Sequence, residues 1–391
     1  MTRIPRSSGL VVTPNTNTRC SRIEECLNRF RARRRLQGDL IRYFDEYLFL
    51  GGIDASQRAF QGVDPKEYAA ATAEEKQQLS NVYGIHCSSD NPKYFNPSKP
   101  EHWSVDFSAV VAGYLSEGIP YLTWTRRSAE VDMQRAIDVV ANFLRYLLQH
   151  DVCNEYEDDI ANALALCERG KEELPLVHGV IKKLPCLFNQ ATAEVAKSGT
   201  NIMEGDEPPT DTEAVFRFGL SFFGPRDACK KVESFKVIRT VAEKQCSLEI
   251  VSIHPPDERT VQLTRIFGVT TEVRDAIKAG VIRCKHVHIR DELCRGDAES
   301  ELPDRIEVLV IQSSILDFLR PGFIIRVTLG ELNIGLKYMV NLPEILPSFY
   351  RFLPQSLMRK YKFPAPNPRP APSVLGPVVE EYQEQDQEAE D

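Results

Sequence analysis

The sequence predicts an α+β protein, with an N-terminal helical domain, then a β-rich domain of sandwich or open barrel-like form, and disordered termini. Three observations carry this. Met133, Ala136, Ile137, Val140, Phe143, Leu144 and Leu147 recur at three- and four-residue spacing, which lines one helix face with apolar side chains. The segment SGTNIMEGDEPPTDT mixes Gly, Pro and acidic residues without periodicity, the composition of a linker. Beyond it the apolar pattern changes to strand-like alternation. The expected organisation is therefore 1–18 disordered, 19–198 helical, 199–212 linker, 213–363 β-rich and 364–391 a disordered Pro-rich and acidic tail.

The Met133 helix begins at Ser128, placed to cap it, with Glu130 and Asp132 in the first turn where the helix dipole favours anions. Asn154 with Glu157 reads as a second capping signal. Tyr156, Ile160, Ala163, Leu164 and Cys167 then form a second stripe, ending at Gly170. The pair is a helical hairpin with a polar corner. Upstream, residues 1–18 lack apolar periodicity, and a first helix starts near Ser21 with Ile23, Cys26, Leu27 and Phe30 on one face. Gly38 interrupts it. DLIRYFDEYLFLGG is a further helix burying Leu40, Tyr43 or Phe44, Tyr47 and Leu48. AATAEEKQQLS holds helix formers, VDFSAVVAGYL reads as a short helix, and IPYLTW as extended. A helical run through Val180, Ile181 and Leu184 reaches about Lys197.

After the linker, AVFRFGLSFF places Phe216, Phe218, Leu220 and Phe222 on one side of an expected strand. SLEIVSI, VIRCKHVHI, RIEVLVI, FIIRVTL and LNIGLKYMV repeat the strand signal. Short helices are expected at DACKKVESF and TEVRDAIKA.

With 391 residues, a net charge of −8 and no run of about 18 to 20 apolar residues, the chain reads as a soluble cytosolic or nuclear protein without membrane contact. Ten cysteines without CxxC pairs fit reduced thiols. No Walker loop, GxGxxG, HExxH or GxSxG elbow occurs, so no catalytic residue and no cofactor is expected. Gly280-VIRCK-His286-V-His288-IRD-Glu292 resembles a first cupin motif, in which two strand histidines and a carboxylate could hold a divalent metal. The motif's later Gly is replaced by Glu299 and no histidine follows His288, so a metal oxygenase stays a minor alternative. Glu155, Glu157, Asp158 and Asp159 are explained by a first helical turn, and His150 with Cys153 by packing at the hairpin corner.

Five arginines within seven positions, Arg29, Arg31, Arg33, Arg34 and Arg35, form the strongest polar feature. They suit phosphates or an acidic partner, or else a solvated, salt-bridged face. PSFYRFLPQSLMRKYK mixes aromatic and basic residues, which suits packing on the β domain more than RNA stacking.

RFRARRRL followed by YLFLGGIDASQRAFQG, then HDVCNEYEDDIANALALC and PSFYRFLPQSLMRKYK, in that order from about Arg22 to Tyr361, resembles a fungal family. It is the Argonaute-binding subunit of the Argonaute siRNA chaperone complex. The resemblance implies a non-enzymatic partner of Argonaute and of a second Argonaute-binding subunit. Such a subunit holds Argonaute with duplex siRNA, restrains slicing and passenger-strand release, and supports heterochromatin assembly in nucleus and cytoplasm. It also implies a longer polar, basic extension before the first helix than this chain carries. A direct RNA-binding protein is the other alternative to the cupin-like one.

Overall fold

The computed structural model describes residues 2–3, 16–34, 36–55, 72, 93–96, 99, 103–199, 211–224, 226–234, 237–258, 261–262, 278–289 and 303–362. Helices come first and an antiparallel sheet follows, the expected α+β order. The expectations for 364–391 and for 200–210 of the linker fall outside the described residues, and those for TEVRDAIKA and AATAEEKQQLS almost wholly so; Asp211 and Thr212, expected as linker, are helical. Most of 1–18 lies outside the described residues. Strand β1 (Thr2–Arg3) pairs with β2 (Trp103–Ser104), and helix α1 (Thr16–Arg34) starts before Ser21.

The helical half consists of α1, α2 (Asp39–Leu50), α3 (Phe107–Gly113), a π turn at Tyr114–Gly118, α4 (Ile119–Thr123), α5 (Ala129–Gln149) and α6 (Glu157–Ile181). Helix α5 carries the expected stripe: Met133, Ala136, Ile137, Val140, Phe143, Leu144 and Leu147 are all buried. Phe30 of α1, Phe44 of α2 and Phe143 of α5 meet with ring centroids 5.2 to 5.4 Å apart. Burying each ring contributes about 1.5–3 kcal/mol, and each edge-on pair about 0.5–1.5 more.

Local expectations are corrected here too. Ser128 does not cap α5 through its side chain; its hydroxyl donates to Asp132 Oδ2 at 2.8 Å. Asn154 opens a short 3-10 turn instead of capping α6, whose N-cap is Tyr156. IPYLTW is helical, continuing the preceding turn. Gly170 does not end the second helix, which runs on to Ile181 with Pro175 inside it. Its glycine serves close packing, since a Cβ there would lie 3.0 Å from a Leu115 methyl, and Leu174, Val177 and Val180 prolong the buried stripe.

The second half begins with α7 (Leu187–Ser198) and α8 (Asp211–Phe223), then α9 (Arg226–Ser234). Residues 214–223 are thus helix, not the expected strand. Phe216 and Leu220 recur at helical spacing as well as at period two, and short apolar runs do not separate the periods. Asp211 and Glu213 sit in the first turn, and Gly219 is bare where the Phe188 ring of α7 presses against it.

Strands β3 (Thr240–His254), β4 (Ala279–His286), β5 (Ile306–Gln312), β6 (Ile324–Leu332) and β7 (Lys337–Leu346) form one antiparallel sheet in the order β5-β4-β3-β6-β7. LNIGLKYMV is therefore a hairpin, with Leu332 ending one strand and Lys337 starting the next. The sheet curls until its edges meet. Lys337 Nζ of β7 lies 2.6 Å from Glu307 Oε2 of β5. Buried Asn189 of α7 donates to Val310 O of β5 at 3.0 Å and accepts from Met339 N of β7 at 2.7 Å, so one amide stands in for the missing ladder. A long bulged β3 shared by two neighbours, with β5 beside β7, makes a partly open Greek-key barrel of the OB type, with α10 (Ser313–Leu316) between β5 and β6. No second sheet faces it among the described residues, so the open-barrel form holds and the sandwich does not.

Two apolar cores result, dividing inside α6 between Leu174 and Val177. Helices α7 and α8 belong to the barrel core. The last segment returns to the helical one through Phe349 and Leu353.

Candidate functional site

The arginine block is split by the helix that carries it. Arg31 falls one helical turn after Leu27, at the edge of the buried face, where it ion-pairs with Asp45 of α2 and lies 5.7 Å from the centre of the Phe44 ring. Its side chain is 9% exposed. Burial pushes the Asp45 carboxyl up to about 6 despite the Arg31 charge beside it. Arg31 is thereby committed to the fold. Arg29 pairs with Glu25 one turn back, and both remain exposed. Arg33 and Arg34 are exposed in the last turn of α1, and Arg35 lies outside the described residues.

A second arginine group has no contiguous trace in the sequence. Arg126, just before α5, donates to both oxygens of Asp39 at the start of α2, at 2.8 and 2.9 Å. Those hydrogen bonds, with the charges of Arg126, Arg42 and Arg135, hold the Asp39 carboxyl below the ordinary range. Arg42, Arg127 and Arg135 are exposed around this pair. They come from α2, the turn before α5 and α5 itself. A count of local charge misses them because they are brought together by the packing of α2 on α5.

The two histidines of the motif are not held on one face. Strand β4 ends at His286, so His286 and His288 do not share a ladder face as expected. His286 turns inward, its Nε2 3.1 Å from Glu307 Oε1, while His288 is exposed and Glu292 lies outside the described residues. Glu307 also accepts from Arg305 Nε at 2.6 Å and from Lys337. Burial pushes the Glu307 carboxyl up, but hydrogen bonds from Lys337 and His286 outweigh it and leave it below the ordinary range. A carboxylate ringed by cations is satisfied as an ion-pair cluster, with Lys337 where a divalent ion would compete. Among the described residues no group of three ligating side chains is placed to hold a metal. Cys284, on the same strand, has its thiol pushed up to about 12 by burial, which leaves it inert.

The acidic cluster is structural. Asp159 accepts from Phe107 N at 2.6 Å and Ser108 N at 3.2 Å, capping α3, and Glu155 pairs with Arg22. At the hairpin corner the Tyr146 and His150 rings pack at a tilt with centroids 4.2 Å apart, and Cys153 is buried. The segment PSFYRFLPQSLMRKYK packs as expected, but on the helical half and not on the barrel. Arg359 Nε donates to Glu46 at 2.9 Å and lies over Phe49 and Tyr121, and Arg169 lies over Phe349. Cys26, Cys153, Cys167, Cys186, Cys229, Cys246 and Cys284 are free thiols, and among the described residues no helix is long and apolar enough to cross a membrane.

Residues 14–364 match the family described as Argonaute siRNA chaperone (ARC) complex subunit Arb1. The chain is also 30% identical over 175 residues to Argonaute-binding protein 1 of Schizosaccharomyces pombe, a match covering 44% of this chain and 41% of that protein. No solved structure matches.

Proposed function

Because the chain belongs to the family of the Argonaute siRNA chaperone complex subunit Arb1, we propose that it is a non-enzymatic Argonaute-binding subunit of such a complex. In this reading it holds Argonaute together with duplex siRNA and a second Argonaute-binding subunit. It restrains slicing and passenger-strand release, and supports RNAi-directed heterochromatin assembly in nucleus and cytoplasm. The observation that carries the reading is the family match over residues 14–364, which spans both halves of the fold. The cation-ringed Glu307 and the capping role of Asp159 support a non-catalytic reading, since each accounts for a polar cluster by folding alone.

The test is a passenger-strand cleavage assay with purified fungal Argonaute loaded with duplex siRNA, with and without this protein. Slower cleavage and retained passenger strand are expected. Unchanged kinetics at protein concentrations that saturate Argonaute binding would refute the inhibitory part of the proposal.

A further inference from the structure

We infer that the exposed arginines Arg42, Arg127 and Arg135, gathered around the Arg126–Asp39 pair, form a surface that touches the phosphate backbone of duplex RNA directly. None of the three makes an ion pair or a side-chain hydrogen bond among the described residues, so their donors face solvent. Asp39 and Asp132 are the carboxylates nearest Arg126, and Arg126 holds both, at 2.8 and 3.8 Å. Glu130 is exposed on the first turn of α5, and Asp138 further along is held by Lys171. Arginines therefore outnumber free carboxylates on this face of a chain whose net charge is −8.

Arg34 lies five residues before Asp39, so its Cα is within about 18 Å of that of Asp39 along a fully extended chain. Arg33 and Arg34 thus extend the same basic region from the end of α1. The ends of α2 and α5 that meet here are helix N-termini, whose partial positive charge adds to the same field.

Phosphate is the favoured partner over an acidic protein for two reasons. The surface is built wholly from arginine, whose planar fork matches phosphate oxygens in pairs and stays charged. Among the described residues it also shows few of the aromatic or aliphatic anchors that centre a protein interface, Val131 being the one large apolar side chain of α5 that is exposed. The choice of duplex RNA rests on the siRNA-holding role proposed above; binding itself is tested without Argonaute.

The experiment is fluorescence anisotropy of the full chain with a short labelled RNA duplex across a salt series, for the wild type and the Arg42→Glu/Arg127→Glu/Arg135→Glu variant. Affinity should fall steeply with salt for the wild type, and the variant should bind at least about ten-fold more weakly with a salt slope smaller by about 2 to 3. Reversing Arg283 and Lys285, on the barrel, should leave binding unchanged. Lysine at the three positions should keep the slope while weakening affinity, which a merely structural role would not produce. If the charge reversal melts the fold, the Arg42→Gln/Arg135→Gln variant replaces it, with a salt slope smaller by about 2 expected. Absence of wild-type binding at low salt, or equal binding by the folded variant, overturns the inference. So does loss of Argonaute capture with RNA binding intact, which would assign the surface to a protein contact and leave the family-based function standing.

Discussion

Charge reversal at Arg31 should act on folding, whereas the same change at Arg33 or Arg34 should not. Arg31 is held between the Phe44 ring and Asp45, with its side chain 9% exposed and that of Asp45 31% exposed. Removing one partner of a buried pair costs about 3–5 kcal/mol, and partial exposure of Asp45 brings the expectation for Arg31→Glu to about 3. At 2–4 °C per kcal/mol for a unit of this size, melting should fall by about 6–12 °C. Arg33→Glu and Arg34→Glu should stay within about 0.5 kcal/mol of the wild type. The sign of the pH dependence follows from Asp45. Its folded pKa is raised to about 6 from 3.8, so the native state binds the extra proton and this group's contribution to stability falls as pH rises from about 4 to 6. Asp45→Asn should remove that slope. The assay is circular-dichroism melting at pH 4.5 and 7, near the two ends of that window. An Arg31→Glu protein that melts with the wild type would refute the placement of Arg31 in the core.

Other consequences lie in the barrel and the chain's organisation. Asn189→Ala strands Met339 N–H at the barrel seam, at about 1–3 kcal/mol, and leaves Val310 O with only the weak Cys186 thiol donor at 3.8 Å; hydrogen exchange should quicken at Met339 before the rest of β7, and unchanged protection there would contradict the closure. Glu307 has a lowered folded pKa, so its stabilisation is present above about 4.5 and is lost as pH falls through the folded value. Glu307→Gln should lower stability at neutral pH and flatten the acid limb of the stability curve, and an acid limb identical to wild type would rule the cluster out. Limited proteolysis should nick the expected linker 199–212 early, and a first cut inside α5 would contradict the burial of that helix in the helical core.

Long, strongly periodic segments were legible in the sequence. The buried stripe of α5 and the strands β3 to β6 sit where periodicity placed them, because one buried face repeats often enough to fix its period. Residues 214–223 misled because a short run of phenylalanines satisfies both periods, and only contact with Phe188 of α7 decides between them. Gly170 looked like a stop because a glycine that admits Leu115 reads the same in sequence as one that ends a helix. At the candidate surface, five neighbouring arginines suggested one patch, yet helical rotation turns Arg31 inward. Arg42, Arg127 and Arg135 were invisible because only the packing of α2 on α5 makes them neighbours. Barrel closure by Asn189 was likewise out of reach, since one asparagine on a helix carries no sign of the strands it bridges.

The central claim is that this chain binds Argonaute, and co-purification tests it most directly. The tagged 391-residue chain, its fold confirmed by melting, is incubated with purified fungal Argonaute loaded with duplex siRNA and recovered on the tag. The account predicts that Argonaute is retained together with both siRNA strands. Recovery of the folded chain without Argonaute, under conditions where loaded Argonaute is intact, would contradict it.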